Sequence, residues 1–195
     1  EALDAIAKAT GATEVNALGY CLGGTLLAAL LAYMAAKKDK RIVSATFMTS
    51  LVDFTRSGEL EVFIDEDQVA SLERKMSERG YLEGGEMATT FNMLRANDLI
   101  WSFVINNYLM GRDPFPFDLL HWNQDATRMP ATMHSFYLRN MYMKNLLREP
   151  GGITLLGVPI DLSKITVPVY FASARGSGIV DADGRTYVDL LNNYT

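Results

Sequence analysis

One residue in this sequence combines nucleophilic chemistry with a setting that could use it. Cys21, the only cysteine among 195 residues, lies within Val15-Asn16-Ala17-Leu18-Gly19-Tyr20-Cys21-Leu22-Gly23-Gly24-Thr25-Leu26-Leu27. The stretch reads as a short apolar strand, a glycine-framed turn and an apolar helix. A side chain at the tip of so tight a turn occupies strained backbone, and side chains two residues to either side would clash. Gly19 and Gly23 remove them. The turn sets Cys21 at the start of the helix, where unpaired N–H groups and the helix dipole favour a thiolate. The backbone N–H of Leu22 then points to where one half of an oxyanion hole should stand. A lone cysteine in apolar surroundings is ordinarily a small buried hydrophobe. The frame of Gly19, Gly23 and Gly24 between a strand and a helix favours the nucleophile instead.

The partners such a nucleophile needs are not evident. The chain holds two histidines, His121 and His134. His134 falls one turn into a helix opened by Pro130, and His121 lies beside Trp122. Both read as structural histidines with satisfied ring nitrogens rather than as bases. The first acid after the last apolar strand is Asp181. Neither histidine is assigned a catalytic role.

The elements that must position Cys21 follow from periodicity. Ala2 to Thr10 has helical spacing with Gly11 as its stop, and the helix after the turn runs from Leu22 to about Lys37. Ile42 to Met48 is apolar and β-branched, a buried parallel strand, so the helix between two such strands makes a βαβ unit. Gly58 to Ile64 reads as extended, and Asp67 to Arg79 as an exposed helix ending at Gly80. From Met87 to about Leu147 several helical stretches follow, broken at Gly111-Arg112-Asp113-Pro114 and before Pro130. Eight of the ten methionines lie between Met76 and Met143, together with both tryptophans. Such composition fits the core of a helical subdomain and, being soft, also fits a mobile apolar lid over an oily tunnel. Val167 to Ala172 returns to the sheet, with Pro168 tolerated at the strand's start.

The totals exclude several classes. A net charge of −5 without a basic cluster argues against nucleic acid as the main partner. Lys37-Lys38-Asp39-Lys40-Arg41 closes a helix and complements its dipole. A single cysteine permits no internal disulfide and suits a reducing cytoplasm. No signal peptide or membrane span is visible, and no metal or cofactor motif. The chain opens at Glu1 in the middle of a helical pattern, as a piece of something longer would.

The strand–turn–helix around Gly19-Tyr20-Cys21-Leu22-Gly23 resembles the nucleophile elbow of α/β-hydrolases, with cysteine where serine enzymes carry serine. Gly19-Tyr20-Cys21-Leu22-Gly23-Gly24-Thr25 further resembles the lipase-like box of polyhydroxyalkanoate (poly-3-hydroxybutyrate) synthases of the class I type. So do Gly58-Glu59-Leu60-Glu61-Val62-Phe63-Ile64-Asp65, Asp113-Pro114-Phe115-Pro116-Phe117-Asp118, Thr127-Arg128-Met129-Pro130, Glu149-Pro150-Gly151-Gly152-Ile153 and Val158-Pro159-Ile160-Asp161-Leu162. The similarity runs from residue 1 to about residue 174.

The resemblance implies an α/β fold: part of an α/β-hydrolase core, a parallel sheet with its nucleophile elbow, and an inserted helical cap. Residues 1–54 and 151–174 would form the core, 55–150 the cap and 175–195 a foreign-looking hairpin tail. It implies acyl transfer from 3-hydroxyacyl-CoA to a growing polyester through a thioester on Cys21. CoA would be only a leaving group, with no cofactor or metal. It also implies a cytoplasmic enzyme that associates as a homodimer and with the polymer granule surface.

The sequence departs from the family where the remaining machinery should stand. After Val167 to Ala172 the family places a catalytic aspartate and, further on, a histidine. Here the chain reads Ser173-Ala174-Arg175-Gly176-Ser177-Gly178, so neither is present at a matching position. Gly176 to Leu190 reads as a hairpin turning at Asp183-Gly184, and with Asn192-Asn193-Tyr194-Thr195 it is similar to the N-terminal hairpin of class III aminotransferases. It brings no cofactor lysine and hence no transaminase reading. The expectation is a synthase fragment that is inactive as an isolated chain. The alternatives are a cysteine thioesterase or acyltransferase using Asp181 and one histidine, and a non-catalytic chimeric remnant.

Overall fold

The computed structural model describes residues 1–55, 57–94, 96–113, 127–175, 178–180 and 186–188. The chain forms two compact units, one of residues 1–58 and 144–195, the other of residues 59–143.

The first unit is built on parallel strands. Strand β1 (Val15–Tyr20) pairs with β2 (Ile42–Met48), and β2 with β7 (Val169–Arg175), both in parallel. Helix α2 (Leu22–Lys37) makes the crossover from β1 to β2. The register aligns Tyr20 with Met48 and Met48 with Ala172, so the three strands present their C-terminal ends together. β7 starts just after Pro168, whose carbonyl accepts the Ala45 N–H, and a proline at the strand's threshold therefore costs the ladder nothing. Beyond the parallel ladder, β7 pairs antiparallel with β8 (Gly178–Val180), and β8 with β9 (Thr186–Val188). The expected hairpin thus joins the sheet, while its turn at Asp183-Gly184 lies outside the described residues. Helix α1 (Ala2–Thr10) ends at Gly11, and β5 (Thr154–Leu155) pairs antiparallel with β6 (Val158–Pro159) in the same unit.

α2 carries no charge before Lys37 and buries Leu27, Ala28, Leu31 and Met34 against Ile42, Ala45 and Phe47 of β2. Phe47 stacks on Phe171 of β7 with ring centroids 4.8 Å apart. This apolar layer fixes α2, and with it the turn that precedes it. The loop after β2 is tied to the segment at residues 145–148. The Asn145 side-chain oxygen accepts the Phe54 N–H at 2.8 Å, and its amide donates to Asp53 at 2.7 Å. Arg148 reaches Asp53 and Thr55 at 3.2 and 2.9 Å. The Thr55 hydroxyl and the Asn145 amide, with Arg148 beyond them, hold the Asp53 carboxyl well below the usual carboxylate range.

The second unit is mainly helical. It contains α3 (Glu66–Arg79), α4 (Gly84–Leu94) and α5 (Ala131–Tyr137), a short antiparallel pairing of β3 (Tyr81–Leu82) with β4 (Met129–Pro130), and π-helical stretches at Asn97–Trp101, Val104–Leu109 and Leu138–Met143. α3 begins one residue earlier than its charge pattern indicates, because the Asp65 carboxylate caps it by accepting the Gln68 N–H at 2.8 Å. Arg139 bridges Glu66 and Glu73 of α3 at 2.9 and 2.7 Å.

One expectation is corrected here. Gly58–Phe63 is a 3-10 helix, not an extended segment. Alternating Glu and apolar residues suggest a strand, but a strand needs a ladder. Local bonds satisfy this backbone instead, such as Ile64 N–H to the Glu61 carbonyl at 3.2 Å. Among the described residues, no helix is long and apolar enough to cross a membrane.

Candidate active site

Cys21 lies at the C-terminal end of β1, in the residue between strand and helix, with φ 51° and ψ −122°. A positive φ with strongly negative ψ is a conformation that glycine adopts easily and other residues adopt at a cost of about 1–3 kcal/mol. It persists because the backbone on both sides is held. The Cys21 N–H donates to the Met48 carbonyl at 2.9 Å, and the Cys21 carbonyl accepts the N–H groups of Gly24 at 2.9 Å and Thr25 at 3.4 Å. The cysteine is exposed. Leu22, the first residue of α2, presents one of the N–H groups that an α-helix leaves without an intrahelical carbonyl.

The glycines around it do not all serve the purpose that spacing suggests. A Cβ on Gly19 would lie 2.5 Å from the Gly24 Cα and 2.8 Å from the Gly23 carbonyl oxygen. A Cβ on Gly24 would lie 1.8 Å from the Ser50 Oγ and 2.4 Å from its Cβ. At Gly23 it would meet nothing within 4 Å. The expected clash at Gly23 is therefore corrected: the close approach that excludes a side chain occurs at Gly24, where α2 meets the loop after β2.

That loop contributes residues that the sequence did not single out. The Ser50 hydroxyl lies 3.0 Å from the Met48 carbonyl oxygen and 3.3 Å from that of Gly19. Thr25, only 4% exposed, donates its hydroxyl to the Leu51 carbonyl at 2.6 Å. Thr49 has φ 47°, donates its N–H to the Ala172 carbonyl at 2.9 Å, and buries an Oγ1 that finds no partner among the described residues. Thr49-Ser50 directly follows an apolar strand, and position at the C-terminal edge of a parallel sheet is the signal that could have marked these residues.

Of the two histidines and the acid, only His134 lies among the described residues. His134 belongs to the second unit, on α5, 9% exposed, with Nδ1 2.8 Å from the Met129 sulfur. Burial pushes its imidazole below the ordinary histidine range. His121 and Asp181 lie outside the described residues. Where a hydrolase would open a loop for its acid after β7, the backbone continues as strand, with Ser173 facing Val180 of β8. Among the described residues, no group of three or more His, Cys, Asp or Glu side chains is placed to hold a metal ion.

No family model matches the chain. It is 57% identical over 181 residues to a poly(3-hydroxyalkanoate) polymerase of Methylorubrum extorquens, covering 93% of this chain and 30% of that protein. It is 55% identical over 181 residues to the poly(3-hydroxyalkanoate) polymerase subunit PhaC of Rhizobium meliloti (strain 1021), with the same coverage. To the corresponding subunit of Cupriavidus necator it is 42% identical over 184 residues, covering 92% of this chain and 31% of that protein. The chain thus spans about 30% of the length of the curated relatives it matches.

Proposed function

Taking the chain as the homologue of one section of a poly(3-hydroxyalkanoate) polymerase, we propose that it carries the nucleophile of that reaction, Cys21, in part of an α/β-hydrolase core. Residues 59–143 are then the helical insertion between β2 and the chain's return. The observation that carries the reading is the strained, exposed cysteine between β1 and α2, in a chain whose relatives bear that name.

In this reading the Cys21 sulfur attacks the carbonyl of a 3-hydroxyacyl-CoA thioester, with the Leu22 N–H as one donor to the developing oxyanion. The carbon–sulfur bond to CoA breaks, CoA leaves as a thiol, and the acyl group remains on Cys21. Exchange of one thioester for another is nearly isoenergetic, which suits a cysteine nucleophile. Transfer onward to the hydroxyl end of a polyester requires a base to take the hydroxyl proton. Where the family has its aspartate, after β7, this sequence reads Ser173-Ala174-Arg175. CoA enters only as a leaving group, and the granule surface, a homodimer and the cytoplasm are the setting this reading supplies.

Incubation of the 195-residue chain with 3-hydroxybutyryl-CoA, followed by intact-protein mass spectrometry, tests the reading. We expect one hydroxyacyl group on the wild type and none on Cys21→Ala, with no sustained release of CoA afterwards. An unmodified wild type, or equal labelling of Cys21→Ala, removes Cys21 as the nucleophile. Sustained Cys21-dependent release would show that the chain contains a working base.

A further inference from the structure

Ser50 touches each backbone segment that fixes the geometry of Cys21. Its hydroxyl lies against the Gly19 carbonyl, on the strand leading into the turn, and against the Met48 carbonyl, on the neighbouring strand. The Met48 oxygen is also the acceptor for the Cys21 N–H. On its third side, Ser50 fills the space left by the absent side chain of Gly24, in the first turn of α2. A hydroxyl has one proton, so it donates to one carbonyl at a time, and the 3.0 Å contact to Met48 is the better of the two. The 3.3 Å contact to Gly19 keeps the same oxygen between both strands. One turn along α2, the Thr25 hydroxyl ties the helix to Leu51, the residue after Ser50. A non-glycine residue at positive φ persists only where its surroundings over-determine it, and this loop supplies that restraint.

We propose that Ser50 is a positioning residue for the Cys21 elbow. It acts through the backbone, holding β1, β2 and the start of α2 at the spacing that keeps the Cys21 sulfur presented. It does not touch substrate. The proposal rests on the reading of Cys21 as the nucleophile, and its test needs neither substrate nor a complete catalytic set.

The measurement is the alkylation rate of Cys21 by iodoacetamide in the 195-residue chain, taken across a pH series, with a thermal midpoint for each variant. Ser50→Ala is expected to slow alkylation by about tenfold across the series, equivalent to a modest change in activation barrier. Ser50→Thr, which keeps the hydroxyl, should stay within about twofold of the wild type, a difference too small to mark a changed geometry. Ser50→Val has the shape of the threonine variant without the hydroxyl and should match Ser50→Ala; the threonine–valine pair decides the question even where Ser50→Ala does not fold. Met34→Ala, a buried position more than three turns along α2, should lower the midpoint and leave the rate unchanged.

Wild-type rates in Ser50→Ala, or equal rates in the threonine and valine variants, overturn the assignment. So does an equal slowing in Met34→Ala, which would make the effect one of general stability. These outcomes leave the acyl-adduct experiment untouched. Conversely, a missing adduct defeats the nucleophile reading while the alkylation comparison still stands.

Discussion

An alanine at Gly24 would place a methyl carbon 1.8 Å from the Ser50 Oγ, and one at Gly19 would place it 2.5 Å from the Gly24 Cα. Neither neighbour can retreat by rotating a long side chain. Gly19→Ala and Gly24→Ala should each destabilise the chain by about 2 kcal/mol or more, as overpacking does. Gly23→Ala, facing open space inside a helix, should be neutral or gain up to about 1 kcal/mol. Urea unfolding of the three variants checks the ranking. The sequence made the presence of a glycine-framed turn legible, because spacing and residue type are local. It could not say which glycine is indispensable, since that depends on Ser50, which stands 31 residues from Gly19 along the chain. The hydroxyl partner of Thr25 and the backbone at Thr49 were hidden for the same reason: a side chain gains its meaning only from the segment folded against it.

Two of the groups that make stability depend on acid lie within residues 59–143. His134 is buried and its imidazole is pushed below the ordinary histidine range, so the folded unit holds it neutral. The unfolded chain takes up a proton first as pH falls through about 6.5, and stability declines from there. Glu73, hydrogen-bonded by Arg139 and by the Ser135 hydroxyl, is held down to about 2. Its contribution is complete above the unfolded carboxyl range near 4.5 and is lost as pH falls from there towards about 2. Thermal midpoints measured against pH should therefore fall in two stages. His134→Gln should flatten the stage that begins near 6.5, and Glu73→Gln the lower one, while lowering the midpoint at neutral pH. Unchanged slopes in both variants would place the acid sensitivity elsewhere. At this scale the sequence was most legible where apolar periodicity is sustained, as in β1, α2 and β2. It misled at Gly58–Phe63, where an alternating pattern had no strand to pair with. The π-helical turns at Asn97–Trp101 and Val104–Leu109 were visible only as helix, because their altered hydrogen-bond step leaves the composition unchanged.

The chain as a whole interleaves two units, with residues 59–143 interrupting the first. Composition shifts after Asp53 and near Glu149 set the expected cap at 55–150, whereas the compact units divide at 58/59 and 143/144. On the first unit Leu18, Tyr20 and Leu26 remain exposed, Leu26 at 67%. The chain spans about 30% of its relatives' length. The backbone at Cys21 adds a different consequence for anyone who selects variants of this chain. Its φ of 51° and ψ of −122° suit glycine better than any residue with a side chain. Cys21→Gly should raise the thermal midpoint, by relief worth about 1 kcal/mol or more, whereas Cys21→Ala should leave the strain in place. A screen rewarding heat resistance alone would then discard the sulfur early and report success. The thiol is retained at this position only if the screen asks for chemistry as well.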